Sequence, residues 1–200
     1  LRNSVKLALR GAVGFGVGPI LTIALLILES SIANARADKT APVFMFYAII
    51  ASVALSGALG AAALTWKAAD AATMIRGAIG FAGGFLVMSF GQMFTLISIQ
   101  GGGRPEYGWG AIGFGVSFAI GAGIGTLFLR PSLAPVGALA FGIPGAASGA
   151  LLFKGLGVLL VYNPDGAKAI AAIVTVVGFL LPYVVGGAVL GAALGFAGRD

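Results

Sequence analysis

An all-α, polytopic membrane protein of about six transmembrane helices is the fold class this sequence predicts, and three observations predict it. Of the 200 residues, 59% are hydrophobic and only 9% are charged, whereas soluble domains carry roughly 25% charged residues. Uncharged apolar runs repeatedly reach the roughly 18 to 20 residues that cross a bilayer. The chain also holds 34 glycines, most of them inside those runs, where small residues let helix backbones approach closely in lipid. A water-soluble fold of this length has too little interior to hide so much apolar surface.

The spans follow in order along a single transmembrane domain, residues 1–200. The first covers 11–28, behind Arg2, Lys6 and Arg10, and a polar loop with Arg36, Asp38 and Lys39 is expected over 29–41. The second covers 43–66, and a short connection, 67–76, contains Asp70. The third covers 77–99. Gln100-Gly-Gly-Gly-Arg-Pro-Glu-Tyr-Gly108 then reads as an irregular turn, punctuated by Gly and Pro. The fourth span, 109–129, is closed by Arg130-Pro131. The fifth starts near 134 and has two candidate ends, Phe153 or Tyr162. The longer version requires Lys154 to send its ammonium along a flexible stem to the interface. Tyr162-Asn-Pro-Asp-Gly166 is a turn signal. The sixth span, 169–196, contains Pro182, where a kink is expected. Membrane helices tolerate such a proline when neighbours satisfy the carbonyl it frees.

An internal repeat runs through these spans. Arg10-Gly-Ala-Val-Gly-Phe15 recurs as Arg76-Gly-Ala-Ile-Gly-Phe81, with relatives at Gly110-Ala-Ile-Gly-Phe114 and Gly137-Ala-Leu-Ala-Phe141. Gly57-Ala-Leu-Gly-Ala61 and Gly187-Ala-Val-Leu-Gly191 end spans two and six. Three tandem two-helix hairpins, 1–66, 67–132 and 133–200, account for the pattern.

Small residues recur every fourth position, which places them one above another on a helix. Span four carries Gly113, Ser117, Gly121 and Gly125, with Ala111, Gly115, Ala119 and Gly123 as a second stripe. Gly14 and Gly18, Gly80 and Gly84, Gly142, and Gly187, Gly191 and Gly195 continue the pattern on spans one, three, five and six. Glycine-zipper packing between helices is the expectation. Gly121→Leu should therefore disrupt packing, whereas Leu129→Ala, at a span end, should matter much less.

Polar groups within the spans are few. Gln92 and Thr95 lie in span three, Thr22 and Ser56 in spans one and two, and Tyr183 follows Pro182. The only cation inside a candidate span is Lys154, and every carboxylate lies at a span end or in a loop. Proton relays and ion sites in membranes are built on intramembrane ionisable residues. Gln92, Thr95 and Lys154 are the candidate polar intramembrane residues, Gln92 being expected to bond across a helix interface.

Cysteine and histidine are absent. Thiolate nucleophiles, the commonest general base, the commonest transition-metal ligand and the usual haem ligand are therefore missing. The Gly101-Gly-Gly-Arg-Pro105 segment lacks the Lys and Ser/Thr of a phosphate-cradling P-loop. No catalytic, cofactor or metal residues are expected, bound lipid aside, and the chain is not expected to be an enzyme. The net charge of +6 comes from scattered cations, not from the clustered basic face that nucleic acid requires. The expected partners are the lipid bilayer and other membrane subunits. The expected role is a non-catalytic accessory subunit packed within a larger membrane complex, energy-converting complexes being one kind. The alternative is a small transporter or channel, with Pro19, Pro144 and Pro182 as helix breaks.

An even number of spans puts both termini on one side. Seven cations fall there (Arg2, Lys6, Arg10, Lys67, Arg76, Arg130 and Arg199) and five on the other (Arg36, Lys39, Arg104, Lys154 and Lys168). The excess predicts cytoplasmic termini. Single cysteines at positions 31, 69 and 102 test this with a membrane-impermeant thiol reagent. In intact cells Ser31→Cys and Gly102→Cys should label and Ala69→Cys should stay silent; the opposite pattern reverses the orientation.

Overall fold

In the computed structural model, α1 (Arg2–Arg36), α2 (Ala41–Thr65), α3 (Ala71–Gly101), α4 (Tyr107–Leu129), a 3-10 turn (Pro131–Leu133), α5 (Ala134–Val161) and α6 (Asp165–Ala197) follow one another. The structure describes residues 2–36, 41–66, 70–101, 107–161 and 165–197, with side chains over 3–25, 27–28, 47–66, 70–95, 108–153, 170 and 172–197. Among the described residues there is no strand. Six helices are long and apolar enough to cross a membrane, over Asn3–Leu25, Tyr47–Thr65, Ala71–Thr95, Gly108–Leu129, Pro131–Phe153 and Ala172–Ala197. The chain is an all-helical, multi-pass integral membrane protein.

Helix ends differ from the sequence expectation in one direction. α1 begins nine residues before the expected span and runs to Arg36, so the expected loop over 29–41 is helical for most of its length. α5 passes through Lys154 to Val161, and α6 starts at Asp165. Hydropathy marks where the chain leaves lipid, but each residue added to a formed helix still gains a hydrogen bond. Residues 102–106 of the expected turn, and residues 162–164 of the second, lie outside the described residues. Pro19, Pro144 and Pro182 each sit inside a continuous helix.

Each helix packs chiefly on its sequence neighbours, and α6 packs on α1. The six helices therefore form a closed ring in chain order. Short connections between antiparallel neighbours dictate this order, and the α1–α6 contact closes it. Neighbours alternate in direction, so the start of α1 and the end of α6 share one end of the ring, with Ser4 against Gly195.

Apolar residues lie on the outside of the bundle as well as in its core. Large aliphatic and aromatic residues cover the outside, among them Val13, Ile79, Phe94, Leu139 and Ile143. The buried set mixes Phe with Ala, Ser and Thr. Apolar surface all round a helix is stable when its outer side meets acyl chains.

The small-residue positions lie at the seams. On α4 the two stripes divide between neighbours. A Cβ added at Gly121 would lie 2.6 Å from the Gly84 carbonyl oxygen of α3, and one at Gly125 would lie 2.5 Å from the Phe81 ring. Gly113 lies against Thr95, and Ser117 lies against Gly91. The other stripe meets α5: a Cβ at Gly115 would be 2.9 Å from that of Ala146, and one at Gly142 2.9 Å from that of Ala119. Gly14 and Gly18 abut Ala63 and Ser56 of α2, while Gly80 and Gly84 abut Phe128 and Gly121 of α4. The ring-closing seam rests on Gly187, Gly191 and Gly195, which meet Gly11, Leu7 and Ser4 of α1. Leu129 packs on Gly77 and on the core. Its position at the end of a hydropathy run carried no information about that contact.

Two adjacent glycines of α3 separate packing from helix propensity. A Cβ added at Gly83 would meet nothing within 4 Å, whereas one at Gly84 would meet the backbone of Gly121 and Gly125. Gly84→Ala should lose about 1–3 kcal/mol through overpacking. Gly83→Ala should be neutral or gain up to about 1 kcal/mol of helix propensity. Thermal midpoints in one detergent compare them, and equal midpoints would sink the reading.

Candidate functional site

Among the described residues, aromatic side chains that the repeat had already aligned meet at the centre of the ring. Phe15, Phe81 and Phe141 come from α1, α3 and α5 and are fully buried. The Phe15 ring centroid lies 5.0 Å from both others, which are 6.5 Å apart. Phe85 joins them at 5.7 Å from Phe15 and from Phe141. Tyr183 of α6 continues the stack, 5.6 Å from Phe85 and 5.2 Å from Phe118, near edge-to-face with both. Edge-to-face pairs at such spacings add to area burial because a ring's positive edge meets a negative face.

Each of the three central rings rests on a glycine of the next helix. Phe15 lies on Gly60, Phe81 on Gly125 and Phe141 on Gly186. In every hairpin the odd-numbered helix supplies the ring and the even-numbered helix supplies the missing Cβ. A side chain at any of these glycines would overlap ring atoms.

Beside this stack, Pro19 breaks the α1 ladder. Proline has no amide hydrogen, so the carbonyl four residues back loses its partner. That carbonyl belongs to Phe15, and the Ser56 hydroxyl of α2 donates to it. One turn along α2, Ser52 meets the Thr22 hydroxyl of α1. Thr22 also reaches the Gly18 carbonyl at 3.0 Å, and Ser52 the Ile49 carbonyl at 2.8 Å. The cluster is buried.

Other hydroxyls turn back on their own helices. Thr65, Ser89, Thr95, Ser117 and Thr126 each donate to the carbonyl four residues earlier, at 2.7–2.9 Å. Such bonds satisfy the hydroxyl locally and leave little polarity to line a path. Gln92 is half-buried and its amide makes no hydrogen bond among the described residues. The expected bond from Gln92 across a helix interface is therefore not seen there. Thr95 also packs on Gly113. Lys154 lies within α5 and its side chain lies outside the described residues.

Charged groups frame one end. Arg10 Nη1 donates to the Trp66 carbonyl at 3.0 Å and Arg130 Nη1 to that of Ala197 at 2.9 Å, which caps the ends of α2 and α6. Cations suit helix C-termini, where unpaired carbonyls concentrate negative charge. Asp70 accepts the Thr73 amide at 2.9 Å and caps the start of α3. Bonds from the Thr73 hydroxyl and amide hold its carboxyl below the usual carboxylate range.

Sequence reading pointed to Thr22 and Ser56 but passed over Ser52. Its signal was present: two serines four apart share a helix face. Only the ring places that face against Pro19. Compared with known proteins, the chain matches no family model, no curated protein and no solved structure.

The Phe15 carbonyl can be tested directly. Ser56→Ala should cost about 1–3 kcal/mol, because it strands a buried acceptor. Pro19→Ala restores an amide donor to that carbonyl. In its background Ser56→Ala should cost less, giving a coupling of roughly 0.5–3 kcal/mol. Additive changes in thermal stability across the four variants would exclude the compensation.

Proposed function

We propose that the chain is a non-catalytic integral membrane protein, a structural or accessory subunit that packs within a larger membrane complex. Energy-converting complexes are one class of host. In this reading its partners are lipid and other membrane subunits, it carries no cofactor, and both termini face the cytoplasm. The three hairpins, 1–66, 67–132 and 133–200, are copies of one two-helix unit.

One observation carries the proposal: the axis of the ring is filled by Phe15, Phe81, Phe85, Phe141 and Tyr183. A solute path needs polar groups or space along its length, and this centre offers packed rings. The recurring ring-on-glycine contact supports the duplication, since each hairpin repeats it at aligned positions.

A small transporter or channel is the second reading. Pro19, Pro144 and Pro182 within spanning helices favour it, because transporters place their sites at broken helices. Liposomes separate the two. The purified protein in sealed vesicles should pass neither ions nor small neutral solutes above empty vesicles, and gentle extraction should recover it with partners in fixed ratio. Flux that changes with Gln92→Leu, Lys154→Ala or Phe81→Ala would overturn the accessory role.

A further inference from the structure

We infer that the arginine-bearing end of the ring is a docking rim for anionic phospholipid headgroups. This holds whether or not the bundle serves as an accessory subunit, since it needs only the membrane class and the geometry of one end.

Among the described residues this end carries Lys6, Arg10, Arg76 and Arg130 against one carboxylate, Asp70. Five of the six helix ends are tied there by close contacts. Arg10 reaches across to α2, Arg130 to α6, Ser4 packs on Gly195, and Gly77 on Leu129. The cations therefore stand on a fixed frame.

A guanidinium has five N–H donors in a planar fork. The bonds from Arg10 and Arg130 to helix-end carbonyls each use Nη1, which leaves donors for a phosphate oxygen. Those bonds also restrain the two groups, so less side-chain freedom is lost when an anion arrives. Lys6 and Arg76 are exposed and add charge. Asp70 is held at the start of α3 by Thr73 and is no partner for Arg10 or Arg130 in a hydrogen bond or ion pair among the described residues.

What favours a lipid over free phosphate is the surface beside these cations. Leu9 next to Arg10 and Ile75 and Ile79 flanking Arg76 are exposed apolar residues, 63%, 54% and 64% accessible. A phosphate held by arginine with acyl chains along adjacent aliphatic residues is the shape of a phospholipid. Trp66, exposed at the same level, is an amphipathic ring of the kind that prefers the headgroup layer.

Trp66 is also the reporter for the test. The chain has two tryptophans, so Trp109→Phe leaves Trp66 alone. This protein is reconstituted in bilayers containing brominated phosphatidylglycerol or brominated phosphatidylcholine, and quenching of Trp66 is titrated. The anionic lipid should quench at lower mole fraction. The preference should fall about fivefold for each cation removed in Lys6→Gln/Arg76→Gln at low salt, and weaken as ionic strength rises. That variant leaves the Arg10 and Arg130 capping bonds intact, and an unchanged thermal midpoint verifies its fold; Arg76→Lys should keep the preference. Equal quenching by the two lipids overturns the inference, as does a preference undiminished by the double substitution. Displacement by inorganic phosphate, or by an acidic peptide, at matched ionic strength assigns the rim to that ligand instead and also overturns it.

Discussion

A helix in lipid gains little by burying an apolar face on another helix, because the acyl chains it leaves are equally apolar. Association then depends on how closely two backbones can approach and how many contacts form there. In this ring that constraint is met by removing side chains at the seams. Gly84 faces Gly121, and Gly187 faces Gly11, with carbonyl oxygens where a Cβ would stand. The same constraint explains why α4, between α3 and α5, carries two small-residue stripes.

Close approach at the seams leaves a narrow axis, and phenylalanine fills it. The rings need flat partners, which Gly60, Gly125 and Gly186 provide. Seam and centre are thus one device, since the glycine that lets two helices approach also seats a ring. Rings packed at the centre of the described residues are what support the proposed accessory role over a solute path. In place of a polar lining, five of the hydroxyls described on these helices bond back to their own backbone.

The polar contacts that do cross between helices repair particular defects. Pro19 removes a donor inside an apolar environment, where an unpaired carbonyl costs several kcal/mol with no water to compensate, and Ser56 replaces it from the neighbouring helix. At one end, Arg10 and Arg130 do the same for the last carbonyls of α2 and α6. These repairs join residues 41 to 67 positions apart, so they bind separate helices together while satisfying the backbone.

Composition and run length determined the membrane class and the number of spans, because bilayer thickness sets a length that apolar runs either meet or miss. Spacing of four determined which glycines share a face, since helical geometry is the same wherever the helix sits. The partner of each face was not a local property. That Gly113, Ser117, Gly121 and Gly125 meet α3 while Gly115 meets α5 follows from the order of helices round the ring. The meeting of Phe15, Phe81 and Phe141 and the rescue of the Phe15 carbonyl by Ser56 were decided there too. Hydropathy reports how a residue partitions between water and lipid; which neighbour it touches depends on the closing of α6 onto α1, a contact between the two ends of the chain.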